Sequence, residues 1–474
     1  MIKKFLTRYH PRYIRSLAYM LQASEYNIPD YLKWFWRVSD FRKVEKRKRL
    51  RKTPKALLVL TFLWVMLIGL IVLAVWLFLL KTTLGAISGT LTIIMLPFFL
   101  AYGIIIPLLK IQIFIQKPIE YFMLRKAKQT LSRHKAIKIA IAGSFGKTTM
   151  REILKTILTE GKRVAAPQES YNTPLGIASF VKTLSGDEEV LIFEMGEYYP
   201  GDIRKLCNLI QPDMGIIAGI NEAHFHRFKT LDKTVKTIYE LADFLEDKPV
   251  YVNGENELAR KNARQGHIIY SREGVHDFKV KDTKTDLNGV SFSVFPPQLK
   301  LSSSLLGLHQ IGPIIASANI AFQIGLTPDE VMRGIANTKP FAHRLEPKTD
   351  SAGVVTLDDS YNGNPDGVKA VIDFLALFKD HRRFYVTPGL VEMGSRAEKV
   401  HRDIGRWLAE ANIEQVVLIK NSVTPYIEKG LKKAGYKGKV LWFDEALQAF
   451  AALPHMTVKD DIVLLQNDWP DQYA

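Results

Sequence analysis

Seven consecutive residues, Gly143-Ser144-Phe145-Gly146-Lys147-Thr148-Thr149, carry the sharpest chemical signal in the sequence. They stand between the apolar run IKIAIA (residues 137–142) and the helix-like run MREILKTIL (residues 150–158). Glycines in such a loop let backbone amides face phosphate oxygens, and the N-terminus of the following helix adds positive potential. Lys147 is then placed to reach the β- and γ-phosphates of ATP, and Thr148 to ligate Mg2+. The general spacing GxxxxGK[ST] is not met, because Ile141 occupies the place of the first glycine. On these residues alone a plain glycine turn remains open.

A loop of this kind needs a strand that ends at it and a helix that starts from it, and the chain repeats that alternation. The runs IKIAIAG, VLIFEMG, MGIIAGIN, PVYVNGEN and HIIYS are short and β-like, with helical patterns between them. They predict a parallel sheet with helices on its faces. After about Pro340 the pattern restarts with VVTLDDSY, RFYVTPG, QVVLIK, KVLWFD and DIVLLQ. This predicts a second, smaller doubly wound domain, and an α/β class for both. No period of 20 to 50 residues repeats within either.

Upstream, residues 56–80 contain no charge and are long enough to cross a ~30 Å hydrocarbon layer. A second apolar stretch, residues 84–109, follows after Lys81, Thr82 and Thr83 and contains Pro97 and Pro107. Soluble core helices rarely run so long without charge, and a second span rather than a cleavage site follows the first. The expectation is a two-helix transmembrane hairpin. Basic residues on both outer flanks place both chain ends and the catalytic domains on the cytoplasmic side of the plasma membrane. Residues 1–55 mix Tyr9, Tyr13, Tyr19, Trp34, Phe35 and Trp36 with basic residues, and are expected to rest at the membrane surface.

The net charge of +17 concentrates beside the apolar region. It therefore points to a lipid bilayer as partner rather than to nucleic acid. The single cysteine, Cys207, excludes an internal disulfide and a cysteine-based zinc site. The expected organisation is a basic aromatic segment (1–55), the hairpin (56–109), a linker (110–136), an ATP-binding domain (137–340) and a C-terminal domain (341–474).

Several further motifs stand in a telling order. Tyr171-Asn172-Thr173-Pro174-Leu175-Gly176, Phe193-Glu194-Met195-Gly196 and Asn221-Glu222-Ala223-His224 follow the phosphate loop. Gly307-Leu308-His309-Gln310, Arg344-Leu345-Glu346, Asp358-Asp359-Ser360-Tyr361-Asn362-Gly363-Asn364-Pro365 and Val391-Glu392-Met393-Gly394 with His401 come later. Together with the short form GxxGKTT, this series resembles the Mur ligase superfamily from about Ile137 to the C-terminus. Within it, the resemblance is to the MurF branch, which adds D-alanyl-D-alanine to a UDP-muramoyl tripeptide.

The resemblance implies a P-loop central domain and a Rossmann-like C-terminal domain. It also implies an ATP-dependent ligase: a carboxylate attacks the γ-phosphate, and an amine, either an amino acid or a dipeptide, then displaces phosphate from the acyl phosphate. Lys147, Glu194 and His224 become the catalytic candidates, and Thr148, Glu194 and His224 the Mg2+ ligands. Asn253, Asn256 and His309 would lie towards the base of ATP, with Gly143 to Thr149 around its phosphates. Arg344 and Asp359 would approach ATP across a domain cleft, and Asn172, Thr173, Tyr361 and Asn362 would meet the muramoyl-peptide substrate.

Four features depart from the family. Ile238 stands where many members carry a carbamylated lysine, with Lys236 two residues earlier. Gln310 and Pro313 replace two asparagines, and Gln466-Asn467-Asp468 replaces a K-G-S/H-type loop. The hairpin is expected where the family's uridine-binding domain stands, which makes a lipid-linked precursor a candidate acceptor beside a UDP-linked one. The isoglutaminyl-forming relative that uses lipid-linked precursor carries a four-cysteine zinc element, which one cysteine cannot build. A folylpolyglutamate-type ligase and a non-catalytic membrane scaffold with this fold stay open as alternatives.

Overall fold

A computed structural model of the chain describes residues 5–45, 49–168, 171–221, 228, 230–296, 298–361, 363–391 and 393–467. The expected site residues His224 and Asn362 lie outside the described residues, as do Glu222, Ala223, Glu392 and Asp468 of the neighbouring motifs. Two compact units divide at Tyr121 and Phe122.

The first unit is helical. Helices α1 (Tyr13–Ala23) and α2 (Ile28–Arg37) precede two long apolar helices, α3 (Pro54–Leu79) and α4 (Thr83–Gly103). Thr53 and Thr82 start the long pair: each side chain accepts a hydrogen bond from the backbone amide three residues on, of Ala56 and Gly85. At 1.5 Å per residue α3 measures about 39 Å, and both helices are long and apolar enough to cross a membrane. Trp64, Ile68, Val72 and Trp76 are exposed along α3.

Of residues 1–55, expected to rest at a membrane surface, part of the described segment packs on the long helices. Tyr13, Leu17, Tyr31, Phe35 and Phe41 form one core with Val59, Leu63, Leu100, Ala101, Ile104 and Leu108 of the long helices and their continuation. Pro97 explains part of this docking. It has no N–H for the carbonyl of Ile93, one turn earlier. The Tyr9 hydroxyl supplies the missing donor, at 3.2 Å to Ile93 O and 2.7 Å to Ile94 O. The segment expected as a linker is also ordered: α5 (Ile105–Ile111), a π turn (Gln112–Gln116) and α6 (Lys117–Arg133) run on as helix.

The second unit holds two sheets. In the first, β1 (Ile137–Ala142) lies centrally between β3 (Val190–Glu194) and β4 (Met214–Ile217), with β2 (Val164–Ala165), β5 (Val250–Asn253) and β6 (Ile268–Ser271) outside them, all parallel. Strand β1 shows why the loop after it is firmly held. Ile139 and Ile141 pack on one face with Met150, Ile153 and Leu154 of α7 (Lys147–Leu158), while Ala140 and Ala142 pack on the other with Ile177 and Phe193. Burial on both faces is the mark of a parallel strand under helices.

The expected all-parallel sheet needs correcting at one edge. Beyond β6 the order continues through β7 (Gly274–Val275), β8 (Phe278–Asp286), β9 (Gly289–Phe295) and β10 (Leu299–Ser303), all antiparallel. Val290, Phe292 and Val294 are buried while Ser291 and Ser293 face outward less covered; a hairpin at a sheet edge needs only one apolar face.

The second sheet has the order β11-β12-β16-β13-β14-β15. Here β12 (Val355–Asp359), β13 (Arg383–Thr387), β14 (Gln415–Ile419), β15 (Lys439–Phe443) and β16 (Ile462–Gln466) are parallel, and β11 (Glu346–Thr349) is an antiparallel edge. Residues 337–345 join the two sheets. In both sheets the loops after the strands carry the polar motifs, where ligands collect in such folds.

Candidate functional site

The loop from Gly143 to Thr149 is built by close backbone approach. Gly143, at φ +150°, faces Gly219 after β4; a Cβ there would lie 2.9 Å from Gly219 N and O. Ser144 N donates to Gly219 O at 2.7 Å, tying the loop to the neighbouring strand end. Gly146 adopts the left-handed conformation (φ +78°) at the N-cap of α7, which a side chain would strain. The first amides of α7 are thus turned to the loop with no capping side chain. Among the described residues the buried Ser144 hydroxyl has no partner, and a phosphate oxygen is an acceptor that would suit it.

Behind the loop, Thr148 Oγ1 donates to Glu194 Oε2 at 3.1 Å. The other oxygen, Oε1, lies 2.7 Å from Arg151 as an ion pair. A hydroxyl and a carboxylate this close are a fitting pair for Mg2+, which takes one or two protein ligands and completes its shell with phosphates and water. Among the described residues no group of three His, Cys, Asp or Glu is arranged for a metal, and of the expected ligands Thr148 and Glu194 are the two that the described residues include. Ile238 is packed in the core of its helix, and Lys236 is exposed on the other side.

Lys147 is occupied. Its Nζ reaches the Glu197 carboxylate at 2.9 and 3.1 Å and also donates to Gly143 O. Glu197 and Arg151 were not singled out from the sequence. The only available signal was the carboxylate that follows EMG directly.

A cleft of about 770 Å3 opens in front of the loop, lined by Phe145, Gly146 and Thr149. It brings together Asn253, Asn256 and His309 from one side and Arg344, Asp359 and Tyr361 from the other. Asn253 and Asn256 are largely spent on structure: Asn253 Oδ1 accepts from Glu255 N, and Asn256 bonds both backbone groups of Ile220 while capping the helix Glu257–Lys261. Burial, reinforced by the charge of Arg272, pushes the His309 imidazole down to about 4, so it is neutral at pH 7 and accepts a hydrogen bond from Gln310. The Arg344 guanidinium lies 4.5 Å from the centre of the Tyr361 ring.

The tandem aspartates divide their work. Asp358 holds Lys348, His343 and Ser360. Asp359 faces the cleft, and burial raises its carboxyl to about 7, opposed by the Gln466 hydrogen bond and the Arg344 charge. The two walls of the cleft meet where Asn221 Nδ2 donates to Asn364 Oδ1 at 2.8 Å. Asn172 and Thr173 do not line the cleft: Thr173 caps the helix Pro174–Val181, and Asn172 O accepts from Gly196 N at 2.9 Å, beside the end of β3.

Comparison with known proteins bears on this arrangement. Residues 141–321 match the Mur ligase middle domain, and residues 343–466 match the Mur ligase, glutamate ligase domain. The UDP-N-acetylmuramoyl-tripeptide--D-alanyl-D-alanine ligase of Bacillus subtilis is 24% identical over 331 residues, covering 69% of this chain and 72% of that protein. The ligase of the same name from Borreliella burgdorferi is 28% identical over 292 residues, covering 60% of this chain and 62% of its own length. The crystal structure of MurF ligase from Thermotoga maritima in complex with ADP shares the fold, with a TM-score of 0.65 at 23% identity over 74% of this chain and 80% of that one.

Proposed function

We propose, of a chain that belongs to the Mur ligase family of ATP-dependent amino-acid ligases, that it forms an amide bond on a muramoyl-peptide precursor at a membrane surface. The observation that carries this reading is the junction of the phosphate loop and the Thr148–Glu194 pair with a cleft walled by Arg344, Asp359 and Tyr361. The relatives named above support D-Ala-D-Ala, or a related amine, as the group added. The two long apolar helices support membrane attachment, and with it an acceptor presented on lipid.

The reaction needs positioning and charge neutralisation more than covalent chemistry from the protein. An acceptor carboxylate attacks the γ-phosphorus, the bond from that phosphorus to the bridging oxygen breaks, and ADP leaves. The amine then attacks the carbonyl carbon of the acyl phosphate; inorganic phosphate departs, and the amine gives up a proton. Loop amides and the N-terminus of α7 hold the phosphates, and Lys147 neutralises charge that grows on them. Thr148 and Glu194 would hold Mg2+, which supplies Lewis-acid stabilisation of the transferring phosphoryl group. Neutral His309, its Nε2 accepting from Gln310, leaves Nδ1–H as a donor towards the base. Arg344, fixed against Tyr361, brings a permanent positive charge to the opposite wall.

The test is the whole chain, assayed in detergent and again in membranes, given ATP, Mg2+, D-Ala-D-Ala and either a UDP-linked or a lipid-linked muramoyl tripeptide. Phosphate release and peptide product are expected together, faster with the lipid-linked acceptor in membranes, and lost in Lys147→Ala. ATP binding without product from either acceptor and any of several amines would favour the scaffold reading. Equal use of both acceptors in membranes would refute the lipid-linked preference.

A further inference from the structure

Glu197 sits three residues beyond Glu194, at the loop after β3, and is only 3% exposed. Both its oxygens approach Lys147 Nζ, at 2.9 and 3.1 Å, and the lysine side chain is itself 13% exposed. A buried carboxylate thus sits where the head group of the phosphate-loop lysine is already satisfied. The neighbouring Glu194 has its own cation, Arg151, so Glu197 is the acid matched to Lys147. Two buried charges of opposite sign stabilise each other strongly when together, and either is costly when left alone.

We infer that Glu197 is a specificity-determining residue of the nucleotide loop: it holds Lys147 until a β-phosphate competes for it. This rests on reading residues 143–149 as a nucleotide loop, and it deepens that reading. A nucleotide with a β-phosphate offers Lys147 a replacement anion, so the ion pair is exchanged rather than lost. A nucleoside monophosphate reaches only the loop amides and cannot make the exchange. Glu197 therefore subtracts from the affinity of every polyphosphate and leaves that of a monophosphate untouched. It also keeps Lys147 compact and neutralised between turnovers.

The experiment is calorimetric binding of ADP and of AMP, each with Mg2+, to the full chain in detergent micelles. Glu197→Gln keeps the size of the side chain and removes its charge. It is expected to tighten ADP binding about tenfold while changing AMP binding less than twofold. In a Lys147→Ala background the same substitution should lose its roughly tenfold preference for ADP over AMP, because Glu197 no longer competes for a lysine and only its own unpaired charge is removed. Glu197→Asp, which shortens the reach by one methylene, should tighten ADP by a smaller factor and decides the matter if the glutamine variant does not fold. ADP affinity that is unchanged or weaker in the folded variant overturns the role of Glu197, as does an equal gain for AMP. Absence of ADP binding to the unaltered chain overturns the nucleotide reading itself.

Discussion

Replacing Asp359 with Asn probes the electrostatics of the cleft most directly. Leu345 N donates to Oδ1 at 3.1 Å, Gln466 donates to Oδ2, and burial lifts the carboxyl from 3.8 to about 7. Gln466 Oε1 has no partner among the described residues, so rotating that amide lets it accept the proton Oδ2 carries when neutral. Between about pH 4 and about pH 7 the folded protein keeps a proton that the unfolded chain has released. Stability therefore falls as pH rises through this window, and the loss is complete above about pH 7. Roughly three units at ~1.4 kcal/mol each bound the effect near 4 kcal/mol, and water reaching the cleft face reduces it to about 2 kcal/mol. The asparagine variant copies the neutral acid and escapes this loss. Urea unfolding of both proteins, followed by tryptophan fluorescence, should show the variant gaining about 2 kcal/mol over the parent between about pH 4.5 and about pH 8. A difference that is constant or shrinks across that range refutes the argument, because all other titrating groups cancel in the comparison.

Five further substitutions, in three sets, are informative. Glu194→Ala should abolish Mg2+-dependent phosphate release, while Lys236→Ala, altering an exposed side chain on the face opposite buried Ile238, should leave the rate within about twofold; a strong loss in the second, rescued by short carboxylic acids, would make Lys236 a metal ligand after all. Tyr9→Phe removes the donor to the Ile93 and Ile94 carbonyls and should lower resistance to unfolding in micelles by about 1 kcal/mol; no change would mean those carbonyls find other donors. Asn364→Ala loses both the cap on the helix Pro365–Leu375 and the bond from Asn221, for about 1–2 kcal/mol of stability, and should weaken ATP binding as well, whereas Asn221→Ala should affect binding with the smaller stability loss.

How much of this could be read from the sequence depends on how far apart the interacting residues lie. The phosphate loop was legible because its requirements are local: a strand, two glycines and a helix start occupy residues 137–158 and need no distant partner. The parallel strands were legible for a similar reason, since burial on both faces leaves uninterrupted apolar runs such as VLIFE. Strands β8 and β9 escaped notice because a one-faced hairpin shows only every second residue apolar, and in β8 the alternation Phe278-Lys279-Val280-Lys281 breaks at Asp282 and Thr283, where the pairing with β9 shifts register. Residues 1–55 presented a different obstacle. An amphipathic helix has the same pattern whether its apolar face meets lipid or protein, and only the gap left by Pro97 in a helix some 85 residues away gives Tyr9 a reason to dock there. The pairing of Thr148 with Glu194 was anticipated through family resemblance rather than through spacing. Its neighbour Glu197 was not, although both carboxylates reach the same turn of α7. A carboxylate fifty residues from its lysine leaves no periodic trace in the chain. Only the closure of β3 beside β1 turns that acid inward, which is why the charge facing Lys147 had to be found in three dimensions.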